Sequence, residues 1–426
     1  MFKKFALFLF TIIFLTGCMP APIEKTKENN SQKSMISRSL TNLGNTYRVN
    51  KKIKSAKKGE SLLVAFVGSS AFVANEENKS VSDYSVSKIS ELFKSKAEIN
   101  VLNFSIYGAN STLGNIMLNK KVLSSHPDII FLDYAIFDKH EQENRESFEN
   151  IIRTCLSQEN EPQIVIFLNA KSDGNVKQDF MEQIAKYYNL PIINVANAVL
   201  PEISSGRMKA DTFFADKTTL TDEGMQIVAD FTENYLKTAQ KQRKDKSYTI
   251  PTPMYPNAAL QNPKFIDAIN IQADNDGSYV RTKLENQTFD SKIEYLTNTE
   301  NNPFIFTVDA NGIFLVTPVS NKYKDIVEIY VNGKKTQEIN LQTENEQDIP
   351  TAFKIFSAAK PEKVAIAIKM KEEPKKDENL LEEIQQKEMS NETTNIEEKE
   401  ETPVIDNKKD FRFFGIALTK NKMSDK

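Results

Sequence analysis

Three stretches of this chain hold the groups from which an acyl-transfer site is built. Gly68-Ser69-Ser70 puts a hydroxyl on a tight glycine turn, and Ile106-Tyr107-Gly108-Ala109-Asn110-Ser111 supplies a glycine loop with a free backbone N–H. A late carboxylate, Asp216, opens Asp216-Lys217-Thr218-Thr219-Leu220-Thr221-Asp222-Glu223-Gly224. A serine attacks a carbonyl only if a base takes its proton and donors receive the developing oxyanion. The base is the scarce part here. The chain has two histidines, His126 and His140, and two cysteines, Cys18 and Cys155. Those counts exclude a His-rich metal site, and they exclude a disulfide scaffold if Cys18 is used otherwise; no metal and no cofactor is expected.

The elements that must position these groups alternate in type. Leu62-Leu63-Val64-Ala65-Phe66-Val67 is a continuous apolar run, the mark of a strand buried on both faces. Further strands are expected at Ile99–Phe104, Ile129–Leu132, Ile164–Leu168 and Pro191–Val195. Helical spacing lies between them, at Val86, Ile89 and Phe93, then at Leu113, Met117 and Leu118. It returns at Phe148, Ile151, Ile152 and Cys155, and at Phe180 and Ile184. A closing helix is expected over Asp222–Leu236, with Asp222 near its cap. Strands alternating with helices give a parallel sheet covered on both faces, and ligands bind such sheets at the carboxyl ends of the strands. All three candidate stretches fall at that end.

Several blocks carry a family likeness. Asn42-Leu43-Gly44-Asn45-Thr46-Tyr47-Arg48 through Lys58-Gly59-Glu60, Pro127-Asp128-Ile129 into Leu132-Asp133-Tyr134-Ala135, and Asn189-Leu190-Pro191-Ile192-Ile193-Asn194-Val195 resemble the SGNH (GDSL-type) hydrolase family over about Asn42 to Leu236. The resemblance implies a flavodoxin-like three-layer α/β sandwich with a central parallel sheet, followed by a C-terminal antiparallel β-sandwich domain. It places Ser70 at the nucleophile, with Gly68 in its turn and Ser69 where Asp or Gly is usual. It places Gly108 at an oxyanion-binding N–H and Asp216 at the carboxylate that orients the base. Two signature positions depart from the pattern. Phe137, before Asp138, stands at the oxyanion Asn, and Thr219 stands at the base His. Loss of a catalytic Ser or His costs roughly 10⁶-fold in turnover in other hydrolases, and loss of one oxyanion donor about 10²–10³-fold.

His140, two residues past Asp138, is the possible substitute base; the alternative is a polar helix-start residue beside Glu141. His126, in Ser125-His126-Pro127-Asp128, lies at the opposite end of the sheet as a loop residue. Ser70 is either a nucleophile or a small residue permitting a sharp turn, and Asp216 either orients a base or caps its own loop. Cys155, on an apolar helical face, reads as a buried structural thiol.

The amino terminus is an address. Met1-Phe2-Lys3-Lys4, an apolar run to Leu15, and Leu15-Thr16-Gly17-Cys18 form a signal peptide whose end resembles a bacterial lipobox. The resemblance implies lipidation of Cys18 and an extracytoplasmic place in the bacterial cell envelope, anchored to the membrane by its acyl chains. Residues 19–41, rich in Lys, Asn and Ser, are expected to be a flexible tether, and 42–245 the hydrolase-like domain. Residues 246–370 with 411–420 form the β-sandwich and 371–410 a charged low-complexity insertion. In the sandwich, strands are expected at Phe304–Val308, Gly312–Val316, Val327–Val331 and Val364–Ile368. Asn332-Gly333 is a hairpin signal, and Val364–Ile368 is expected to pair with Phe411–Leu418.

At 426 residues, two or three domains with some solvated length are expected. A net charge of −3, from 55 basic and 58 acidic residues, excludes a strongly basic nucleic-acid binder. Trp is absent, so no platform for sugar stacking stands out. The leading expectation is a surface lipoprotein with a catalytically impaired esterase-like domain that binds a cell-surface glycan, acylated carbohydrate or envelope partner. Its alternatives are an acyl esterase, polysaccharide O-deacetylase-like, using Ser70 with His140 or a substrate group as base, and a structural lipoprotein without a ligand.

Overall fold

The chain enters through a helix, α1 (Ile23–Ser39), and a short strand, β1 (Leu40–Asn42). The structure, a computed structural model, describes residues 23–75, 77–93, 97–174, 179–242, 245–256, 260–275, 279–283, 294–298, 303–346, 348–371 and 411–420. The leader with Cys18 and nearly all of the charged insertion lie outside the described residues. After α2 (Tyr47–Ala56) come β2 (Leu62–Gly68), α3 (Val81–Phe93), β3 (Ile99–Ser105), α4 (Ser111–Lys121), β4 (Ile129–Asp133) and α5 (Gln142–Leu156). They are followed by β5 (Gln163–Leu168), α6 (Asp179–Tyr187), β6 (Ile192–Asn194), α7 (Val195–Ser204), α8 (Ala210–Phe213) and α9 (Asp222–Lys241).

The sheet order is β1-β6-β5-β4-β2-β3, parallel from β2 to β6 and antiparallel only where β1 meets β6. The apolar run of β2 is continuous because both faces are covered. Val64 and Phe66 join the cluster with Ile89 of α3 and Phe231 of α9, while Ala65 and Val67 join Leu113 of α4 and Ile151 of α5.

One expectation is corrected in this half. Residues 23–39 are a helix where a tether was expected. Met35 is buried, Ile36 packs on the α9 face, and Arg38 reaches the buried Glu202 of α7. The closing helix starts at Asp222, next to its cap as expected; the cap is Thr221, whose Oγ1 accepts from Gly224 N at 3.0 Å. Asp222 itself accepts from Asn75 at 2.9 Å, Tyr84 at 2.9 Å and Lys79 at 3.2 Å.

The chain then runs back along the first half. Glu149 accepts the N–H groups of Met254 (2.5 Å) and Tyr255 (2.7 Å), and Asn115 and Asn150 both donate to the Leu260 carbonyl. The antiparallel part comprises β7 (Lys264–Asp267), β8 (Ala273–Asn275), β9 (Tyr279–Lys283), β10 (Glu294–Asn298), β11 (Phe304–Val319), β12 (Ile326–Val331), β13 (Lys334–Asn340), β14 (Ile349–Met370), β15 (Phe411–Phe413) and β16 (Gly415–Thr419). One sheet runs β13-β12-β14-β11-β16-β7, with β8 on β11, and a three-stranded sheet runs β15-β10-β9. Asn332 (φ 50°) and Gly333 (φ 78°) make the expected two-residue hairpin between β12 and β13.

Pairing differs from expectation in two places. The segments 304–308 and 312–316 are one strand, β11, whose register shifts between Ala310 and Gly312, so the Asn-Gly step is absorbed as a bulge. Val364–Ile368 does not pair with Phe411–Leu418, because β11 lies between β14 and β16. Phe414 breaks the last segment in two, donating its N–H to Val316. Phe314, Val316, Phe414 and Ala417 share a core with α4 and α5, so the two halves are packed together. Among the described residues, no helix is long and apolar enough to cross a membrane.

Candidate functional site

Strand register brings the candidate loops to one edge. Gly68 pairs with Ser105 of β3 and Asp133 of β4, so the turns after β2, β3 and β4 leave the sheet together. Gly68 is required by its contact: at φ 153°, a Cβ there would collide with the Asp133 carbonyl. That carbonyl accepts the Ser69 N–H at 2.8 Å and the Ser69 hydroxyl at 3.2 Å. Ser70 then begins a single 3₁₀ turn ending at Phe72. Its side chain is not among the described atoms.

Two carboxyls lie buried beneath this edge. Burial pushes Asp133 up to about 7, against a hydrogen bond from Asn169 Nδ2 (2.9 Å) and the backbone N–H groups of Ala135 and Ala71. Asp138 is pushed up to about 8, again by burial, with Asp133 and Glu141 adding to the rise. Ser111 N at 2.6 Å opposes it. Asp138 thereby ties the loop after β4 to the start of α4, and hence to the Gly108 turn. The sequence signal for Asp133 was a charge closing an apolar strand.

Above these carboxyls sits an aromatic pair. Tyr107 and Phe137 meet edge to face at 5.6 Å, and the Tyr107 hydroxyl lies 3.4 Å from Thr218 Oγ1. Nothing in the sequence signalled this pair, which the fold assembles from residues of two loops. Gly108, at φ 79°, is covered by Ile349 from the start of β14.

The late loop is closed on itself. Asp216 Oδ1 accepts from Thr218 N (2.6 Å) and Thr219 N (2.8 Å). Partial burial pushes its carboxyl upward, but hydrogen bonds from the Thr219 hydroxyl and these N–H groups hold it below the usual range. Lys217 pairs with Asp173 at 2.8 Å and its carbonyl accepts Ser172 N, fixing the loop to the turn after β5.

His140 is engaged elsewhere. Its Nε2 lies 2.8 Å from Asp179 Oδ1 at the start of α6, and its ring meets Phe180 edge to face at 5.5 Å. His126 is an exposed left-handed residue (φ 52°) in the turn before β4, and Cys155 is a buried free thiol raised by its surroundings. The arrangement therefore offers an aromatic face, hydroxyls and a fixed carboxylate, with no imidazole bonded into it among the described contacts.

No family model and no curated protein sequence matches the chain. Among solved structures it is similar to a two-domain esterase (CEX) active on acetylated mannans, co-crystallised with mannopentaose. That match has a TM-score of 0.74 and 18% identity, and covers 92% of this chain and 99% of that one. A second structure of a two-domain esterase (CEX) active on acetylated mannans matches with the same TM-score and identity, over 91% of this chain and 99% of that one. The fold is the one these two-domain structures have: a mostly parallel sheet between helices, joined to an antiparallel sheet domain. At this identity the likeness is one of fold.

Proposed function

We propose that this protein is a lipid-anchored, extracytoplasmic glycan-binding protein of the bacterial cell envelope, built on an esterase fold whose hydrolytic site is impaired. One observation carries the reading. The Asp216 carboxylate is committed to the N–H groups and hydroxyl of its own loop, where Thr219 stands in the base position, while His140 is paired with Asp179. A threonine hydroxyl cannot accept a proton near neutral pH, so Thr219 cannot serve as the base for Ser70. Phe137 adds apolar bulk in place of an oxyanion donor, and with Tyr107 offers the kind of face on which sugar rings stack. The anchor rests on Leu15-Thr16-Gly17-Cys18.

One observation favours an acyl esterase with a non-standard base: Asp133, pushed up to about 7 by burial, closes β4 beside Gly68, in the turn that leads to Ser70. The two readings separate in one assay. Turnover of an aryl acetate and of acetylated manno-oligosaccharides is measured for the chain from residue 23, beside Ser70→Ala and Asp133→Asn, with manno-oligosaccharide binding by calorimetry. Binding without Ser70-dependent turnover is expected. Turnover abolished by Ser70→Ala would overturn the impairment, and loss with Asp133→Asn would name the base. Phe137→Asn with Thr219→His is the complementary repair. For the anchor, Cys18→Ser is expected to release the protein from the membrane fraction.

A further inference from the structure

Two basic stretches lie far apart in the sequence. Residues 51–60 hold five lysines against Glu60 alone, and residues 237–246 hold five basic groups against Asp245 alone. The whole chain carries a net charge of −3, so these are local excesses rather than a general bias. The fold joins them, because the first is the second half of α2 with its following turn and the second is the end of α9 with the chain beyond it. Asn50 Nδ2 donates to the carbonyls of Ala239 (2.9 Å) and Gln242 (3.0 Å), and Lys57 Nζ donates to Gln240 Oε1 at 2.9 Å. Asp245 is turned back onto Thr46, accepting its N–H at 2.7 Å and its hydroxyl.

Three of the lysines are neutralised. Lys51 pairs with Glu161, Lys52 with Asp128 and Lys237 with Glu233, each at 2.7 Å. Glu161 and Asp128 stand just before β5 and β4, which places α2 at the amino ends of the strands, away from the candidate loops. Lys54, Lys57, Lys58, Lys241 and Lys246 are exposed, and none has a carboxylate partner among the described residues. Glu60 is the one exposed acid described in either stretch.

We propose that this pole is a membrane-docking surface: its lysines rest on the anionic phospholipid headgroups of a bilayer, and the loops after β2, β3 and β4 face away from it. Lysine ammoniums are compact charges on flexible stems, so they meet phosphates across a surface without a shaped pocket. Each one close to an anionic bilayer strengthens binding by about fivefold. Only Met19-Pro20-Ala21-Pro22 separates Cys18 from α1. An anchored chain would therefore keep its body beside the bilayer, where weak electrostatic contact is enough to set an orientation. That orientation rests on the anchor proposed above; adhesion of the patch to an anionic bilayer does not.

The test uses the chain from residue 23, which contains every described residue and carries no lipid. It is sedimented with vesicles of equal parts phosphatidylglycerol and phosphatidylcholine, and with vesicles of phosphatidylcholine alone. Wild type is expected to pellet only with the anionic vesicles, and to be released at about 1 M salt, where charges are screened beyond about 3 Å. Lys54→Gln with Lys58→Gln and Lys241→Gln should weaken that binding by about a hundredfold. Lys322→Gln with Lys334→Gln and Lys363→Gln makes the same change in net charge in the antiparallel half, and should leave binding unchanged. All six lysines are exposed, so both variants should melt with wild type. Wild type that stays in solution overturns the proposal, as do equal losses in the two variants or no loss in the first. Tighter binding to poly(glycerol phosphate), which carries phosphodiesters without a bilayer, overturns it as well. A protein that shows the expected vesicle response but binds no manno-oligosaccharide fails the glycan-binding function and keeps the docking surface.

Discussion

Glu202 offers the sharpest quantitative test of how the chain is held together, because this buried carboxylate gathers the polar contacts that α1 makes through Ser31 and Arg38. It accepts Ser31 Oγ at 2.6 Å, Arg207 Nε at 2.6 Å and Nη2 at 3.1 Å, and Arg38 Nη2. Its own side chain is 4% exposed, while those of Arg38 and Arg207 are 35% and 50% exposed. Hydrogen bonds from Arg207, with Ser31 and Arg38, outweigh burial and hold the carboxyl at about 2. A depressed acid contributes stability above its unfolded pKa and loses it as pH falls toward the folded value. The drop from 4.5 to about 2 corresponds to a ceiling of about 3.4 kcal/mol at 1.36 kcal/mol per unit. The arginines are half in water, which screens the pair, so about 1–2 kcal/mol is the realistic share.

The perturbation is Glu202→Gln, which keeps the shape and removes the charge. A loss of about 1–2 kcal/mol lowers the melting temperature of a domain of this size by roughly 2–8 °C. The assay is thermal unfolding followed by circular dichroism, at pH 7 and at steps down to pH 3. The gap between wild type and variant should be full at pH 7, begin to narrow below about 4.5, and be mostly gone at 3. A gap that is absent at pH 7, or that keeps its size throughout, refutes the reasoning. The outcome bears on function. Four residues separate Cys18 from Ile23, a span of at most about 18 Å over the five steps between them. With α1 clamped, a lipid on Cys18 would hold the body close to the membrane; with α1 released, it would hang on a longer tether.

Three further outcomes are expected. Asp138, held at about 8, keeps a proton that the unfolded chain gives up near 4. Stability therefore falls as pH rises between those values, and Asp138→Asn, which still accepts from Ser111, should flatten that fall in urea unfolding at pH 5 and 8. Gly68→Ala drives a Cβ into the Asp133 carbonyl at a φ that side chains avoid and should cost more than about 3 kcal/mol by urea midpoint, or prevent folding. His140→Ala removes a partly exposed pair with Asp179, so it should cost under about 1 kcal/mol and leave manno-oligosaccharide affinity unchanged.

What could be read from the sequence follows the range of the interaction that fixes each feature. β2, β4, β5 and β6 were legible because burial on both faces writes an unbroken apolar run, as in Leu62–Val67, and the turn between β12 and β13 because Asn332 and Gly333 tolerate positive φ. α1 was not legible. It presents little apolar face beyond Met35 and Ile36, and its polar hold on the body is Glu202, a residue far along the chain that meets Ser31 and Arg38 only after folding. Alternation in the C-terminal part revealed strands but not neighbours, so β11 could not be foreseen between β14 and β16. The site divides the same way. Ser70, Gly108, Phe137, Asp216 and Thr219 were placed by local pattern. The Tyr107–Phe137 pair, the Asp133–Asp138 carboxyls and Ile349 depend on loops converging from distant segments.

The two halves of the candidate site differ in how far they stand from hydrolytic chemistry. On the base side, Asp216 is held by the N–H groups of Thr218 and Thr219 and by the Thr218 hydroxyl at 3.4 Å. What Thr219 lacks is a second atom on its far side able to take a proton from Ser70. That deficit is confined to one side chain. On the oxyanion side the change is distributed: Phe137 packs on Tyr107, Tyr107 on the C-terminal core, and Ile349 on Gly108, with Asp348, Ser320, Tyr323 and Arg412 holding Ile349 in place. Restoring an imidazole at 219 addresses the larger single factor, roughly 10⁶-fold in other hydrolases. It leaves Phe137 where the resembling family has an Asn donor, a further 10²–10³-fold or so. On the proposed glycan-binding function, the residues at 137 and 219 together exchange groups that handle charge and protons for an apolar ring and a hydroxyl.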